Sequence, residues 1–348
     1  MKNKVYFLPW ERRAEFEDFL KKTGIFEGIM PKSFAALKIH FGEEGNNGYV
    51  APEFVKKIVK SVSAKGAFPF LTDSSALYAG KRSNAYHHLI TANKHGFNIN
   101  SCGCPVIIAD GLKGNGEEKI EVNLKHFKEV YIGREIALSD SLVFINHFKG
   151  HEMTGFGGAL KNIGMGSASK AGKYAMHNES KPSLNLSRCI GCGICAKFCA
   201  QGALKLEGGK IKIDIGKCAG CGQCIVNCAQ KVFRISWDVG SKNLQERICE
   251  YGAGVLKGKN CANINFLNHI SKYCDCFTFV ENNPIMPDIG IIAGKDPVSV
   301  DQASYDLVNK TFGGDFFKSI FPDIDPLIQL KYAQDIGLGG REYDLIEL

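Results

Sequence analysis

The chain has 348 residues, of which 45% are apolar and 23% charged, and it carries 14 cysteines and a net charge of +7. These proportions are typical of a folded globular protein and exclude a largely disordered chain. No apolar run approaches the roughly 18 residues that a membrane-spanning helix needs, so we expect no membrane association.

Cysteine usage and charge distribution narrow the class further. The first residues are charged and include Pro9, without the apolar region of a secretion signal. Cysteines in a chain without an export signal favour metal ligation over disulfides, so we expect a cytoplasmic protein from an anaerobic host. Residues 184–236 carry eight Lys or Arg and two acidic residues, and so hold six of the seven net charges. A nucleic-acid face would be a basic stripe on the larger domain, so we expect no nucleic-acid partner.

Short apolar runs alternate with helical patterns along the chain. The predicted strands are Phe34–Ile39, Phe68–Thr72, Val106–Ala109, Leu142–Asn146 and Ile289–Ala293. The predicted helices are Pro52–Ser63, Ser75–Gly96, which would hold a partly exposed His87-His88 pair, and Arg134–Ser139. Continuous apolar strands alternating with helices predict an α/β fold with a mostly parallel sheet.

Polar residues follow four of these strands directly, namely His40, Asp73, Asp110 and His147. In parallel sheets the ligand crevice lies beyond the carboxyl ends of the strands, so these four residues are candidates for a catalytic site. Asp73 has an alternative role as a helix cap, and Asp110, which precedes Gly111, as a turn former.

The segment from His147 to Lys170 is the richest in chemistry. His147 and His151 have the i, i+4 spacing with which two ligands can share one helix face and bind a metal. The glycines of this segment would let the backbone approach a ligand, and Lys149 and Lys161 would favour an anionic group. The glycine spacing fits neither a dinucleotide fingerprint nor a Walker A loop. The alternative is an ordinary glycine-rich connection.

Two identical C-x2-C-x2-C-x3-C runs lie in the second half of the chain. They consist of Cys189, Cys192, Cys195 and Cys199, and of Cys218, Cys221, Cys224 and Cys228. In this pattern the first three thiolates hold one [4Fe–4S] cluster and the fourth ligates the other cluster. We therefore predict one cluster on Cys189, Cys192, Cys195 and Cys228, and a second on Cys218, Cys221, Cys224 and Cys199.

Two features bear on this prediction. The proline that usually follows the fourth cysteine is replaced by Ala200 and Ala229, which removes no ligand. Between the runs, Lys205–Ile215 alternates around Gly208-Gly209 and predicts a short hairpin. A pair of zinc ribbons is the alternative, but it needs only two CxxC pairs.

Two CxC pairs remain, Cys102-Gly-Cys104 and Cys274-Asp-Cys276. Each is a redox dithiol, a metal-ligand pair or two inert thiols, and the second pair is a candidate for a further metal site. The isolated Cys249 and Cys261 are predicted to pack in the interior.

The chain resembles the domain of unknown function 362 family of iron–sulfur centre proteins. The resemblance rests on Leu37–Gly42, Leu71–Asp73, Pro105–Gly111, His147–Lys161, the two cysteine runs, Cys274–Cys276, Pro287–Gly290, Asp296–Asp301 and Leu338–Tyr343. It implies one α/β domain, residues 1–183 and 237–348, interrupted by a small α+β ferredoxin-like insert at residues 184–236. It implies no particular reaction.

The leading hypothesis is a redox protein in which electrons pass through two [4Fe–4S] clusters to a site in the α/β domain. A redox partner protein or a small-molecule substrate would complete the reaction, and an additional metal or anionic ligand would occupy the site. A non-enzymatic electron carrier or accessory subunit is the alternative. A third reading makes the clusters structural supports of a binding protein.

Overall fold

The structure is a computed structural model that describes residues 2–78, 80–178, 182–199, 201–218, 223–234, 239–276 and 283–348. Cys221 of the second cysteine run and Ala200 after the first lie outside these residues, as does Ser236 at the predicted end of the insert.

The described residues form sixteen strands and thirteen α-helices. The strands are β1 Asn3–Pro9, β2 Phe34–Ile39, β3 Phe68–Asp73, β4 Val106–Ile108, β5 Glu117–Glu121, β6 Glu129–Gly133, β7 Ser141–His147, β8 Lys149–His151, β9 Gly155–Gly157, β10 Ser183–Leu184, β11 Leu204–Glu207, β12 Lys210–Ile213, β13 Phe233–Arg234, β14 Asn260–Leu267, β15 Gly290–Gly294 and β16 Tyr343–Glu347. The helices are α1 Phe16–Thr23, α2 Pro52–Ser63, α3 Ala85–Lys94, α4 Ile99–Cys102, α5 Arg134–Leu138, α6 Ala159–Ser167, α7 Lys170–His177, α8 Ile194–Lys197, α9 Gln223–Asn227, α10 Ser241–Leu256, α11 Pro297–Phe312, α12 Phe316–Ile320 and α13 Ile328–Asp335.

Eight strands build the central sheet in the order β16-β1-β15-β14-β7-β2-β3-β4. The five strands from β14 to β4 run parallel, whereas β15 pairs antiparallel with both of its neighbours. The predicted α/β fold with a mostly parallel sheet is therefore confirmed. The carboxyl ends of β2, β3, β4, β7 and β14 all lie at one edge of this sheet.

Alternate residues of the central strands pack on opposite faces, as the period of two requires. In β2, Leu37 contributes to a core with helices α1 and α2, whereas Ala36 contributes to a core with α6 and α10. Because both faces are covered by helices, β7 is buried along its whole length. This explains why the central strands have continuous apolar runs.

One predicted helix is much shorter in the structure. Only Ala85–Lys94 of the predicted Ser75–Gly96 is α-helical, and Asn84 begins it by accepting a hydrogen bond from the His87 amide. The described residues before Asn84 form a loop, because Asn84 offers a strong helix cap and Gly80 weakens any helix before it. The expectation for the His pair is wrong for His88, which is fully buried, while His87 is exposed.

The cysteine-rich segment has a small core of its own. Strands β10 and β13 pair antiparallel and bring the two ends of the segment together, and β11 and β12 form a hairpin at the predicted place. Helices α8 and α9 contact each other, and the buried thiols Cys189 and Cys195 pack with Ile211 and Phe233. Among the described residues, no helix has the length and apolar character needed to cross a bilayer.

Candidate active site

A cavity of about 600 Å³ opens where the parallel strands end. Its walls include five of the six predicted catalytic residues and both thiols of the second CxC pair: His40, Asp73, His147, His151, Lys161, Cys274 and Cys276. The remaining wall comes from the loop before α3, from α6 and α7, and from the start of α10. The sheet topology is what brings these sequence-distant residues together.

Asp110 lies behind the cavity rather than on its wall. Its carboxylate accepts hydrogen bonds from the amide and the hydroxyl of Ser75, at 2.9 and 3.0 Å. Burial raises the pKa of this carboxyl group, although Lys173 and the Ser75 contacts oppose the rise. Asp110 lies in a turn, as the alternative stated, and its carboxylate also fixes the chain just after β3.

His147 and His151 do not share a helix face, because His147 ends β7 and His151 ends β8. Both ring nitrogens of His147 face acceptors: Nδ1 lies 2.9 Å from an Asp275 carboxylate oxygen and Nε2 lies 2.9 Å from the Asn268 carbonyl oxygen. Neither nitrogen directs a lone pair into the cavity, so the predicted pair of metal ligands is not assembled.

Asp73 is the centre of a buried ion-pair network at the end of β3. Its carboxylate lies 2.8 Å from Lys38 Nζ and 3.1 Å from Arg82 Nη1. Burial disfavours the charged carboxylate, but Lys38, His88 and Arg82 together hold its pKa well below the usual value. Asp73 is therefore a permanent anion that positions two cations, not a helix cap.

Arg82 links this network to the thiols and was not identified from the sequence. Its side chain contacts the Glu43 carboxylate at 3.2 Å, the Tyr78 hydroxyl at 2.6 Å and the Cys276 Sγ at 3.4 Å. Tyr78 in turn donates to Glu43 at 3.0 Å. The only local signal for this loop was Asn84, whose capping preference begins the helix after Tyr78 and Arg82 and so leaves both in a loop.

The two thiols of the second CxC pair lie side by side, with 3.3 Å between Cys274 Sγ and Cys276 Sγ. Lys161 Nζ is 3.3 Å from Cys274 Sγ, and His40 Nε2 is 3.5 Å from Cys276 Sγ. The hydrogen bond from Cys276 and the charge of Lys161 hold the pKa of Cys274 well below its usual value despite burial. One thiolate with one neighbouring thiol is the resulting state.

The first CxC pair has a different environment. Cys102 and Cys104 are buried in the apolar core with α2 and β3, and Cys102 Sγ donates to the Gly96 carbonyl oxygen at 3.7 Å. Burial raises the pKa of Cys102 and raises that of Cys104 to about 12. These thiols are therefore protonated, and the second pair alone adjoins charged groups of the cavity.

The lysines of the cavity are already engaged by the protein. Lys149 Nζ lies 2.9 Å from an Asp275 oxygen and donates to the His147 carbonyl at 2.8 Å. Burial disfavours the charged form of Lys161, but Cys274 and Cys276 outweigh this effect and raise its pKa. Both lysines are therefore paired with groups of the protein, and an anionic ligand beside them stays a prediction.

A line of buried amides connects the cavity with α11. Lys38 donates to Asn162, Asn162 to Asn146, Asn146 to Asn265 and Asn265 to Asp301, at 2.7 to 2.8 Å. Asp301 also accepts from the amides of Ala159 and Leu160, at 2.7 and 2.8 Å, and so caps α6. Because every member is paired, this network holds α6 and its Lys161 rigidly against the sheet.

The glycines around α6 are needed for packing. A Cβ on Gly158 would lie 2.3 Å from Asp301 Oδ1, and one on Gly164 would lie 2.1 Å from the carbonyl oxygen of Ile248 in α10. Gly157, Gly158 and Gly166 also line the cavity, so the expectation that glycines admit a ligand to the backbone stays a prediction. The first two amides of α6, which could bind an anion, already donate to the Asp301 carboxylate.

The predicted cluster thiols accept backbone hydrogen bonds in a repeated pattern. The Ala203 amide donates to Cys199 Sγ at 3.3 Å and the Val232 amide to Cys228 Sγ at 3.4 Å, each four residues after its cysteine. The Ile211 amide donates to Cys189 Sγ at 3.4 Å. Cys192 and Cys228 lie close enough to Cys195 to affect its ionisation. These donors suit thiolate ligands.

A site for a single metal ion differs from a cluster site, because its ligands must converge on one point. Within the described ranges, which exclude Cys221, no three Cys, His, Asp or Glu side chains converge as ligands of one metal ion. A cubane differs because its thiolates each contact a different iron and so stay apart. At Cys274 and Cys276, the adjacent Lys161 and Arg82 would repel a metal cation, which disfavours the predicted further metal site.

The solved structures that resemble this chain include two proteins of low sequence identity. The structure of the lactate racemase apoprotein from Thermoanaerobacterium thermosaccharolyticum has a TM-score of 0.44 at 11% identity, with 89% of this chain and 58% of that chain covered. A protein from Thermotoga maritima has a TM-score of 0.41 at 13% identity, with 86% and 59% covered. The chain thus spans somewhat less than three fifths of either protein.

Sequence comparison identifies the family. No curated protein sequence matches the chain. The family model described as Domain of unknown function (DUF362) matches residues 35–306, which include the parallel strands, the cavity and both cysteine runs, and the chain therefore belongs to this family.

Proposed function

We propose that this protein binds two [4Fe–4S] clusters in residues 184–236 and delivers their electrons to a substrate in the cavity of the α/β domain. One ligand set is Cys189, Cys192, Cys195 and Cys228, and the other is Cys218, Cys221, Cys224 and Cys199. A [4Fe–4S] cluster takes up and releases single electrons. The two identical cysteine runs and the repeated amide-to-thiol hydrogen bonds support this proposal.

The observation that carries the electron route is the contact between α9 and α7. Helix α9 contains Cys224 and directly precedes Cys228, and Asn227 at its end accepts from Asn115 of the larger domain at 3.1 Å. Helix α7 contributes Lys173 and His177 to the cavity wall. One helix therefore separates Cys224 from the cavity, which suits electron transfer between them.

The cavity favours an enzyme over a simple carrier. Its volume of about 600 Å³ lies within the roughly 300–1,000 Å³ typical of small-molecule sites. A carrier needs only an exposed docking face and no such cavity. Burial lowers the pKa values of His40 and His151 well below the usual value, so both rings are neutral within it. The cysteine-rich sequence suits a reducing compartment, and we propose the cytoplasm.

Metal analysis of anaerobically purified protein tests the cluster proposal. We expect about eight irons and eight acid-labile sulfides per chain, as two cubanes require. Zinc at about two per chain, without sulfide, would instead establish the ribbon alternative.

Reoxidation kinetics distinguish the enzyme from the carrier. The reduced protein is mixed with a panel of small two-electron acceptors, and reoxidation is followed by the visible absorption of the clusters. Met165→Trp should fill the cavity and slow reoxidation by the productive acceptor, because Met165 lies on its wall. If Met165→Trp is reoxidised as fast as the wild type by every acceptor, the carrier function replaces the enzyme.

A further inference from the structure

We propose that Cys274 and Cys276 form a catalytic dithiol that takes two electrons from the clusters and reduces a small disulfide in the cavity. This inference rests on the proposed function for its source of electrons and names the substrate class of the same site. The sulfurs are 3.3 Å apart, and a disulfide bond of about 2.05 Å requires them to approach by only about 1.3 Å.

The charges around the pair assign a different role to each sulfur. Lys161 Nζ, at 3.3 Å, stabilises a thiolate on Cys274, which makes it the attacking sulfur. Arg82 Nη2, at 3.4 Å, lies beside Cys276 instead. A thiolate on Cys276 is disfavoured while Cys274 is negative, and it becomes favourable once Cys274 is bonded to the substrate.

The tautomer of His40 allows its ring to stabilise a thiolate on Cys276. Its Nδ1 accepts a hydrogen bond from the Gly42 amide at 3.0 Å, so the neutral ring carries its proton on Nε2. That proton faces Cys276 Sγ across 3.5 Å. His40 thus acts as a donor to a developing thiolate rather than as a base.

The reaction balances without a further reactant. The Cys274 thiolate attacks one sulfur of RS–SR and expels RS⁻, leaving a mixed disulfide. Cys276 gives its proton to this departing thiolate and attacks Cys274, which releases the second RS⁻ and forms the Cys274–Cys276 disulfide. Two electrons, one from each cluster, and one proton then restore the Cys274 thiolate and the Cys276 thiol.

Asp275, which lies between Cys274 and Cys276, holds the loop with the two thiols in position. The Asp275 carboxylate is fully buried and pairs with His147 at 2.9 Å and Lys149 at 2.9 Å. His147 ends β7 and Lys149 begins β8, so these two strands fix the backbone between the sulfurs. A rigid mount of this kind keeps the two sulfurs within reach of each other and of the cavity.

The first test is redox equilibration of the full-length protein. It is incubated anaerobically in mixtures of 2-mercaptoethanol and 2-hydroxyethyl disulfide, quenched with N-ethylmaleimide in denaturant so that buried thiols also react, digested and analysed by mass spectrometry. We expect the peptide with Cys274 and Cys276 to switch from two adducts to none as the disulfide increases. The peptide with Cys102 and Cys104 has the same spacing and should keep two adducts. If the Cys274 peptide keeps two adducts throughout, the proposal is overturned.

The second test concerns Lys161. Lys161→Gln should slow alkylation of Cys274 at neutral pH by about tenfold or more and displace its pH profile to higher pH, because thiolate is lost. Lys161→Arg should restore both, and the exposed Lys60→Gln should match the wild type. An unchanged pH profile in Lys161→Gln would contradict the assignment of Cys274 as the attacking sulfur.

The third test separates this inference from the proposed function. The oxidised protein is reduced with methyl viologen radical, and both cluster EPR and the Cys274 peptide are followed. We expect the disulfide to open in the wild type, and at least tenfold more slowly in Cys224→Ser, which impairs the cluster beside α7. If both clusters are reduced while the disulfide persists, the dithiol proposal fails and the proposed function stands. If the protein contains no iron, the proposed function fails, and the first test alone decides whether the thiols form a redox couple.

Discussion

The Asp275 carboxylate accepts a hydrogen bond from His147 Nδ1 at 2.9 Å, although 128 residues separate the two in sequence. This contact attaches the thiol-bearing loop to the end of the central strand β7. Burial opposes the charged form of Asp275, but His147 and Lys149 outweigh it and hold the pKa of this carboxyl group far below its usual value.

Asp275→Asn should destabilise the protein strongly. The substitution leaves Lys149 buried without its anionic partner, and breaking a buried ion pair in this way costs about 3–5 kcal/mol. Urea unfolding of the variant measures the change. Asp18→Asn is the control, because Asp18 forms an exposed ion pair with Lys22 and its loss should leave the unfolding midpoint in place.

Gly158→Ala should disrupt the start of α6. The new Cβ would lie 2.3 Å from Asp301 Oδ1 and 2.8 Å from the Phe148 ring, so the cap of α6 has to move. Overpacking of this kind costs about 1–3 kcal/mol, and the displaced helix carries Lys161. Thermal unfolding and the alkylation rate of Cys274 should both change. Gly240→Ala is the matched control, because no described residue has an atom within 4 Å of its Cβ position; an equal effect there would refute the steric explanation.

Stability should fall on acidification partly because of His177. Burial, with Lys161 and Lys173 adding to it, lowers the pKa of this ring to about 3. The unfolded chain binds a proton here below about pH 6.5 and the folded chain does not, so the free energy of unfolding falls as the pH drops between these values. His177→Gln should reduce the slope of the free energy of unfolding against pH by about 1.4 kcal/mol per pH unit. Urea titrations across this range measure it.

The elements that could be predicted from the sequence are those with local causes. Strand β2 and helix α2 have the predicted bounds, because a buried strand and an amphipathic helix each leave a periodic signal in consecutive residues. The convergence of His40, Asp73 and His147 could also be predicted, since the carboxyl ends of parallel strands share one edge of the sheet.

The parts that could not be predicted depend on long-range pairing. The sequence pattern gives no sign that Asp275 pairs with His147, or that Arg82 joins Asp73 to Cys276. The i, i+4 spacing of His147 and His151 indicated a helix, but the glycines between and after them instead allow the β8–β9 hairpin. Asp110 has the polar character of a site residue and is used to anchor a loop.

Cross-ligation of the clusters provides the last prediction. In the proposed arrangement Cys199 belongs to the cluster of Cys218, Cys221 and Cys224, because the fourth cysteine of a run lies one helical turn too far along the chain to reach its own cluster. Cys199→Ala should therefore impair that cluster and spare the one on Cys189, Cys192 and Cys195, and Cys228→Ala should have the opposite effect. EPR of the reduced proteins, with iron analysis, distinguishes the two. Cys261→Ala serves as the control, since Cys261 lies on β14 of the larger domain and should leave both signals intact. Loss of the Cys189 cluster in Cys199→Ala would show that each run binds its own cluster, and the ferredoxin-like arrangement would then be wrong.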